Sequence, residues 1–162
     1  MKRLILMRHA DSDWSGSNGS DHQRSLNTKG QESAKAIGHW LKTHGYVPDT
    51  VLCSDATRTR ETLELLGLQN AAVSHLRTLY LASPAEILAT LQEATGNTVL
   101  LIGHNPGCGI CAQQLPTKSK IREYPPAATS IIEFEIEDWS QAGWGIGNLA
   151  EFVVPRDLPK AT

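Results

Sequence analysis

Four consecutive apolar residues, Leu4-Ile5-Leu6-Met7, run straight into Arg8-His9. That length, with no helical period, predicts a short strand buried on both faces. The pattern returns at Thr50-Val51-Leu52-Cys53-Ser54 and most strongly at Thr98-Val99-Leu100-Leu101-Ile102. Between these runs the apolar spacing changes to three and four. Ala34, Ile37, Gly38, Trp40 and Leu41 predict a helix from residue 27 or 28 to 44, stopped by Gly45. Ala56 or Thr59, with Leu63 and Leu66, predict an inward face on a second helix over 56–66, capped by Ser54 or Asp55. Ser83-Pro84, followed by Glu86, opens a third helix over 83–94, and residues 72–76 read as a short strand.

The remainder lacks that regularity. Residues 11–23 are rich in Ser, Gly, Asn and Asp and predict a loop beside the Arg-His pair, a rim on which Trp14 could touch a ligand. Ser130-Ile131-Ile132-Glu133-Phe134-Glu135-Ile136 alternates with period two, predicting an edge or half-exposed strand. Residues 139–147 read as a hairpin loop, 149–154 as a returning strand and 155–159 as a tail. Strand and helix alternate over the first two thirds, which implies right-handed crossovers and a mostly parallel sheet with helices on both faces.

In such a sheet the strand exits share one edge, where open α/β sheets bind ligands. Arg8 and His9 leave the first strand there, and His104 leaves the third through a turn rich in glycine. Arg58 falls in the first turn of the helix after the second strand. A helix N-terminus already carries roughly half a positive charge, so an arginine there is unfavourable unless an anion is near. Two guanidiniums and two imidazoles on one crevice suit a dianion, and phosphate matches arginine's paired donors. Arg24 could reach that phosphate from the rim or serve a structural ion pair.

Bulk properties narrow the function classes. With 162 residues, 40% of them hydrophobic, the chain fits one domain spanning 1–162, able to bury roughly 70% of its unfolded surface. A net charge of -2 and pI near 6.3 give no electrostatic reason to expect nucleic acid or an anionic membrane as partner. The first apolar run is too short for a signal peptide and no stretch could span a bilayer, so a soluble, cytoplasmic monomer is expected. Cys53, Cys108 and Cys111 are too few for a disulfide framework; Cys108-Gly-Ile-Cys111 has redox spacing, but packed thiols at a helix start are favoured. His22, His39, His44 and His75 lack metal-ligand spacing, and neither metal nor cofactor is called for.

Arg8-His9-Ala10, Ser54-x-Ala56-x-Arg58-Thr59-x-x-Thr62 and Gly103-His104-Asn105 together resemble the histidine phosphatase, or phosphoglycerate mutase-like, superfamily. Arg24-x-Leu26-x-x-x-Gly30, Leu79-Tyr80-x-Ala82 and Pro155-Arg156-Asp157-Leu158 resemble its small SixA-type phosphohistidine phosphatases. The fold expected is a three-layer α/β/α with a mostly parallel central sheet and an antiparallel C-terminal edge strand. The resemblance implies His9 as nucleophile, forming a covalent phosphohistidine. Arg8, Arg58 and a protonated His104 would hold the phosphoryl oxygens.

Larger members of the superfamily carry an acid after the segment equivalent to Leu79, whereas here no carboxylate precedes Glu86. An alkyl phosphate needs a proton donor to expel its oxygen, but a phosphorylated imidazole can leave as a neutral ring once its other nitrogen is protonated. A phosphohistidine on a protein is therefore the expected substrate, with Glu86, Asp11, Asp13 or Asp21 remaining candidates for an acid. A small phosphorylated metabolite, or a non-catalytic phospho-ligand binding domain, is the alternative.

Overall fold

The computed structural model describes residues 1–15 and 19–159, and its first apolar run is strand β1 (Lys2–Arg8). Residues 16–18 of the predicted rim, and residues 160–162, lie outside the described residues. In chain order follow α1 (Thr28–Thr43), β2 (Thr50–Ser54), α2 (Thr57–Leu66), β3 (Ala72–Leu76), α3 (Pro84–Gln92), β4 (Thr98–Gly103), α4 (Gly107–Gln114), β5 (Thr129–Phe134) and β6 (Asn148–Val153).

Local chemistry accounts for the helix ends. The Asn27 side chain accepts from the Gly30 N–H at 2.8 Å, supplying one of the acceptors that the first turn of α1 lacks. Ser83 and Glu86 form a reciprocal capping box on α3. One expectation changes: the N-cap of α2 is Ala56, with no side-chain bond, while Ser54 Oγ accepts from the Ala56 N–H at 3.3 Å just ahead of the helix and has a second partner described below.

The six strands form one sheet in the order β3-β2-β4-β1-β5-β6. Pairings among β1 to β4 are parallel, and β5 runs antiparallel to both β1 and β6. The alternating sequence at β5 predicted an edge or half-exposed strand, yet its first four residues are buried. The reason is pairing, since β1 and β6 flank it and leave β6 as the exposed C-terminal edge.

The sheet divides two apolar layers by the two-residue period of its strands. Leu4 and Leu6 pack with Ile87, Leu91, Cys108 and Ala112 from α3 and α4. Ile5 and Met7 face the other way, onto Ala34, Ile37, Leu41 and Leu66 from α1 and α2. Fully burying each large aliphatic side chain contributes about 1.5–3 kcal/mol, so this double burial fixes the register of β1. A slip by one residue would exchange every contact. With Arg8 opposite Gly103 and Cys53 opposite Ile102, the C-terminal ends of β1, β2 and β4 are level.

Candidate active site

That level edge gathers the predicted side chains. Backbone bonds strap His9 on both sides: its N–H donates to Gly103 O at 3.1 Å, and its carbonyl accepts from Ala127 N at 2.9 Å. Its ring Nδ1 lies 2.7 Å from Ala10 O. A carbonyl only accepts, so Nδ1 carries the hydrogen and Nε2 keeps its lone pair. That Nε2 accepts from Arg58 Nε at 3.3 Å, where a guanidinium can only donate. Burial, reinforced by the nearby charges of His104, Arg58 and Arg8, lowers the His9 pKa to about 3. The ring is therefore neutral across the physiological range, with Nε2 unprotonated.

Arg58 is 2% exposed and holds the centre of the site. Nη1 donates to Asp21 O at 2.7 Å, while Nη2 lies 3.1 Å from Asp21 Oδ2 and 3.3 Å from His104 Nδ1. His104 Nε2 is 2.8 Å from Ser54 Oγ. Because Nδ1 must accept from arginine, Nε2–H donates to Ser54 Oγ, which accepts this bond as well as the one from Ala56 N–H. Desolvation, then the Arg58 charge, lowers the His104 pKa to about 4. The protonated form expected from sequence is therefore absent at neutral pH in the protein alone, though an anion against the ring would favour it. The His9 and His104 ring centroids are 5.3 Å apart.

Arg8 donates from Nη1 to Tyr124 O at 3.1 Å, and its buried Nε has no hydrogen-bond partner among the described residues. Its charge lowers the pKa of both His9 and His104, so its guanidinium lies within electrostatic reach of both rings. Arg24 realises the ion-pair alternative, with Nη2 3.4 Å from Asp21 Oδ1 and its guanidinium 5.3 Å from the Trp14 ring. Its Nε, like that of Arg8, is buried and unpaired among the described residues. Two buried N–H donors of cations without a partner among the described residues, on arginines whose charges reach the His104 ring, suit an oxyanion.

Of the four candidate acids, one reaches this network. Asp21 is hydrogen-bonded by Tyr80 and Arg58, and that pairing, Tyr80 first, lowers its pKa. Its carboxylate is thus held in the ionised form against Arg58. Glu86 is occupied in the α3 cap, Asp13 bonds Ser15, and Asp11 accepts from Asn27 Nδ2 at 2.8 Å. Tyr80 also stands edge-on to His104, with centroids 5.4 Å apart. His22, to which sequence assigned nothing, lies 2.7 Å from Asp55 Oδ1 and packs on Tyr80. Tyr124 likewise escaped notice, lying in a segment without periodicity. The thiols are apart from this chemistry: Cys108 and Cys111 are buried, and desolvation pushes Cys111 up to about 12.

The profile of the histidine phosphatase superfamily (branch 1) matches residues 4–80, which contain Arg8, His9 and Arg58. A solved SixA-type structure from Nakamurella multipartitia is 30% identical, superposes with a TM-score of 0.84 and covers 95% of this chain and 96% of its own. The chain belongs to the histidine phosphatase superfamily. Within it, the chain is of the small SixA type. An uncharacterized Mycobacterium tuberculosis protein is 31% identical over 160 residues, covering 93% of this chain and all (100%) of that one. An uncharacterized chloroplastic protein of Arabidopsis thaliana is 32% identical over 70% of this chain, which spans only 59% of that relative. The fold alone extends to SixA solved with tungstate (24% identity, TM-score 0.76, covering 96% and 98% of the two chains). It extends also to a phosphoserine phosphatase of Entamoeba histolytica (13%, TM-score 0.64, covering 94% and 96%). Superfamily membership thus places the chemistry among phosphatases and leaves the leaving group to be argued from the site.

Proposed function

We propose that this chain is a cofactor-independent phosphatase that passes the phosphoryl group through His9 Nε2, with phosphohistidine on a protein as its substrate. The observation that carries the reading is the neutral His9 ring, whose Nδ1–H is held by Ala10 O and whose Nε2 lone pair points at Arg58. Attack forms a bond between Nε2 and phosphorus while the bond from phosphorus to the substrate nitrogen breaks. The other nitrogen of the substrate ring takes a proton from solvent before the bond breaks, so the ring departs as neutral imidazole with the bonding pair on the nitrogen that held phosphorus. Water then attacks phospho-His9, returning Nε2 with its lone pair and releasing phosphate.

Arg8, Arg58 and His104 are assigned the phosphoryl oxygens, with Arg24 at the rim. The dianion draws a proton onto His104, turning an acceptor into a donor as charge builds on the transferring group. Preference for a phosphoramidate rests on Asp21, the carboxylate bonded to this network, which Tyr80 and Arg58 hold ionised. An alkyl phosphate would find Asp21 without a proton to give, and general acid help is typically worth about 10²–10⁴ in rate. The deciding experiment compares kcat/KM on N-phosphoimidazole, a phosphohistidine peptide and an alkyl phosphate. The first two should exceed the third by about that factor of 10²–10⁴; equal or reversed rates would overturn the substrate assignment.

A further inference from the structure

Beside the catalytic edge runs a groove of about 440 Å³, lined by Lys120, Arg122, Glu123, Pro125, Phe152 and Arg156 among others. A smaller cleft of about 170 Å³ shares Pro125 and Arg156 and reaches Asp11, two residues beyond His9. The two are joined to the site by covalent neighbours. Tyr124, whose carbonyl holds Arg8, precedes Pro125, and its ring stacks on Phe152 with centroids 5.7 Å apart. Tyr124 therefore touches both Arg8 and the Phe152 that lines the groove.

The groove is locally basic. The chain has a net charge of -2, yet three cations here face one carboxylate, Glu123. Lys120, Arg122 and Arg156 are exposed, and none enters an ion pair among the described residues. Phe152, 38% exposed, adds an aromatic surface to the same lining. Unpaired cations and an aromatic surface in one lining fit a chain segment with acidic residues around an apolar one.

We infer that this groove docks an acidic segment of the phosphorylated protein, aligning its phosphohistidine with His9. The inference rests on the protein-substrate reading above. Screened surface contacts of this kind are individually weak, and three together should be worth about 10-fold in KM.

The test uses three phosphohistidine peptides, flanked by Glu, by Ser or by Lys, with N-phosphoimidazole as a reference that cannot reach the groove. Wild type should show a KM for the Glu peptide about 10-fold below that for the Ser peptide, with the gap closing as salt is raised. In K120A/R122A/R156A the gap should vanish while N-phosphoimidazole turnover stays as in wild type, which also reports an intact fold. In R122E/R156E the preference should pass to the Lys peptide.

Equal KM values for the Glu and Ser peptides in wild type would overturn the groove's role and leave the protein-substrate reading standing. Turnover of N-phosphoimidazole without turnover of any peptide would overturn both. Tighter binding of single-stranded DNA or of phosphatidylglycerol vesicles than of the Glu peptide, lost in the triple variant, would assign the groove to another polyanion and likewise overturn the inference.

Discussion

Replacing Arg58 by lysine preserves a positive charge while removing the shape that the site uses. The guanidinium sends Nε to His9 at 3.3 Å, Nη1 to Asp21 O at 2.7 Å, and Nη2 to Asp21 Oδ2 at 3.1 Å and His104 at 3.3 Å. An ammonium ends in a single nitrogen and cannot stand at all three positions. If Arg58 grips the phosphoryl group through two charge-assisted bonds of about 1.5–3 kcal/mol each, lysine remakes one, and R58K loses a factor of roughly 10 to 150. R58A loses both, about 3–6 kcal/mol, or roughly 10²–10⁴. The assay is phosphate release from N-phosphoimidazole, with ring-proton NMR titration of the histidines alongside. Arg58 lowers the pKa of both His9 and His104, so R58A should raise both while R58K leaves them nearer wild type. R58K at the wild-type rate, or R58A with both pKa values unmoved, would refute this account of the site.

Other predictions concern stability and the disputed acid. His9 and His104 titrate at about 3 and about 4 in the folded chain, below the ordinary 6.5, so the folded state binds fewer protons than the unfolded one in between. Their contribution is complete above about pH 6.5 and is lost as pH falls toward 4 and then 3, at up to about 1.4 kcal/mol per pH unit for each ring. Urea unfolding between pH 7 and 5 should show a flatter slope for H9A/H104A than for wild type; identical slopes would contradict the burial argument. E86A should cost about 1 kcal/mol through the lost α3 cap while hydrolysing N-phosphoimidazole as wild type does, whereas loss of activity with stability intact would make Glu86 the missing acid. In G38A the new Cβ would lie 2.2 Å from Leu66 O. Helix propensity favours alanine by about 1 kcal/mol, yet calorimetry should record a net loss of about 1–3 kcal/mol from the forced parting of α1 and α2.

The arrangement of Arg8, His9, Arg58 and His104 was legible because apolar runs locate strands, and parallel strands put their exits on one edge. Each of the four lies within a few residues of such an exit, so no loop path had to be known. Asp21 and Tyr80 were harder. Asp21 sits in a short 3-10 turn, Asp21–Gln23, within a loop that has no period, and only the folded path brings it to Arg58. Tyr80 follows another such turn, and Tyr124 lies among residues without regular structure. Ser54 was read as a helix cap because serine at a strand-to-helix junction usually is one; here its oxygen accepts from both the imidazole of His104 and the Ala56 N–H. The alternation in β5 was read correctly as a strand but misplaced outward, since neighbours across a sheet are set by pairing that a local pattern does not encode.

Trapping the reaction partway tests the central claim most directly. Wild type mixed with phosphoramidate, quenched in alkali and digested, should yield phosphate on the peptide carrying His9, stable in base and lost in acid. H9A should yield none and should not turn over. A phosphorylated residue elsewhere, or full hydrolysis by H9A, would contradict nucleophilic attack by His9.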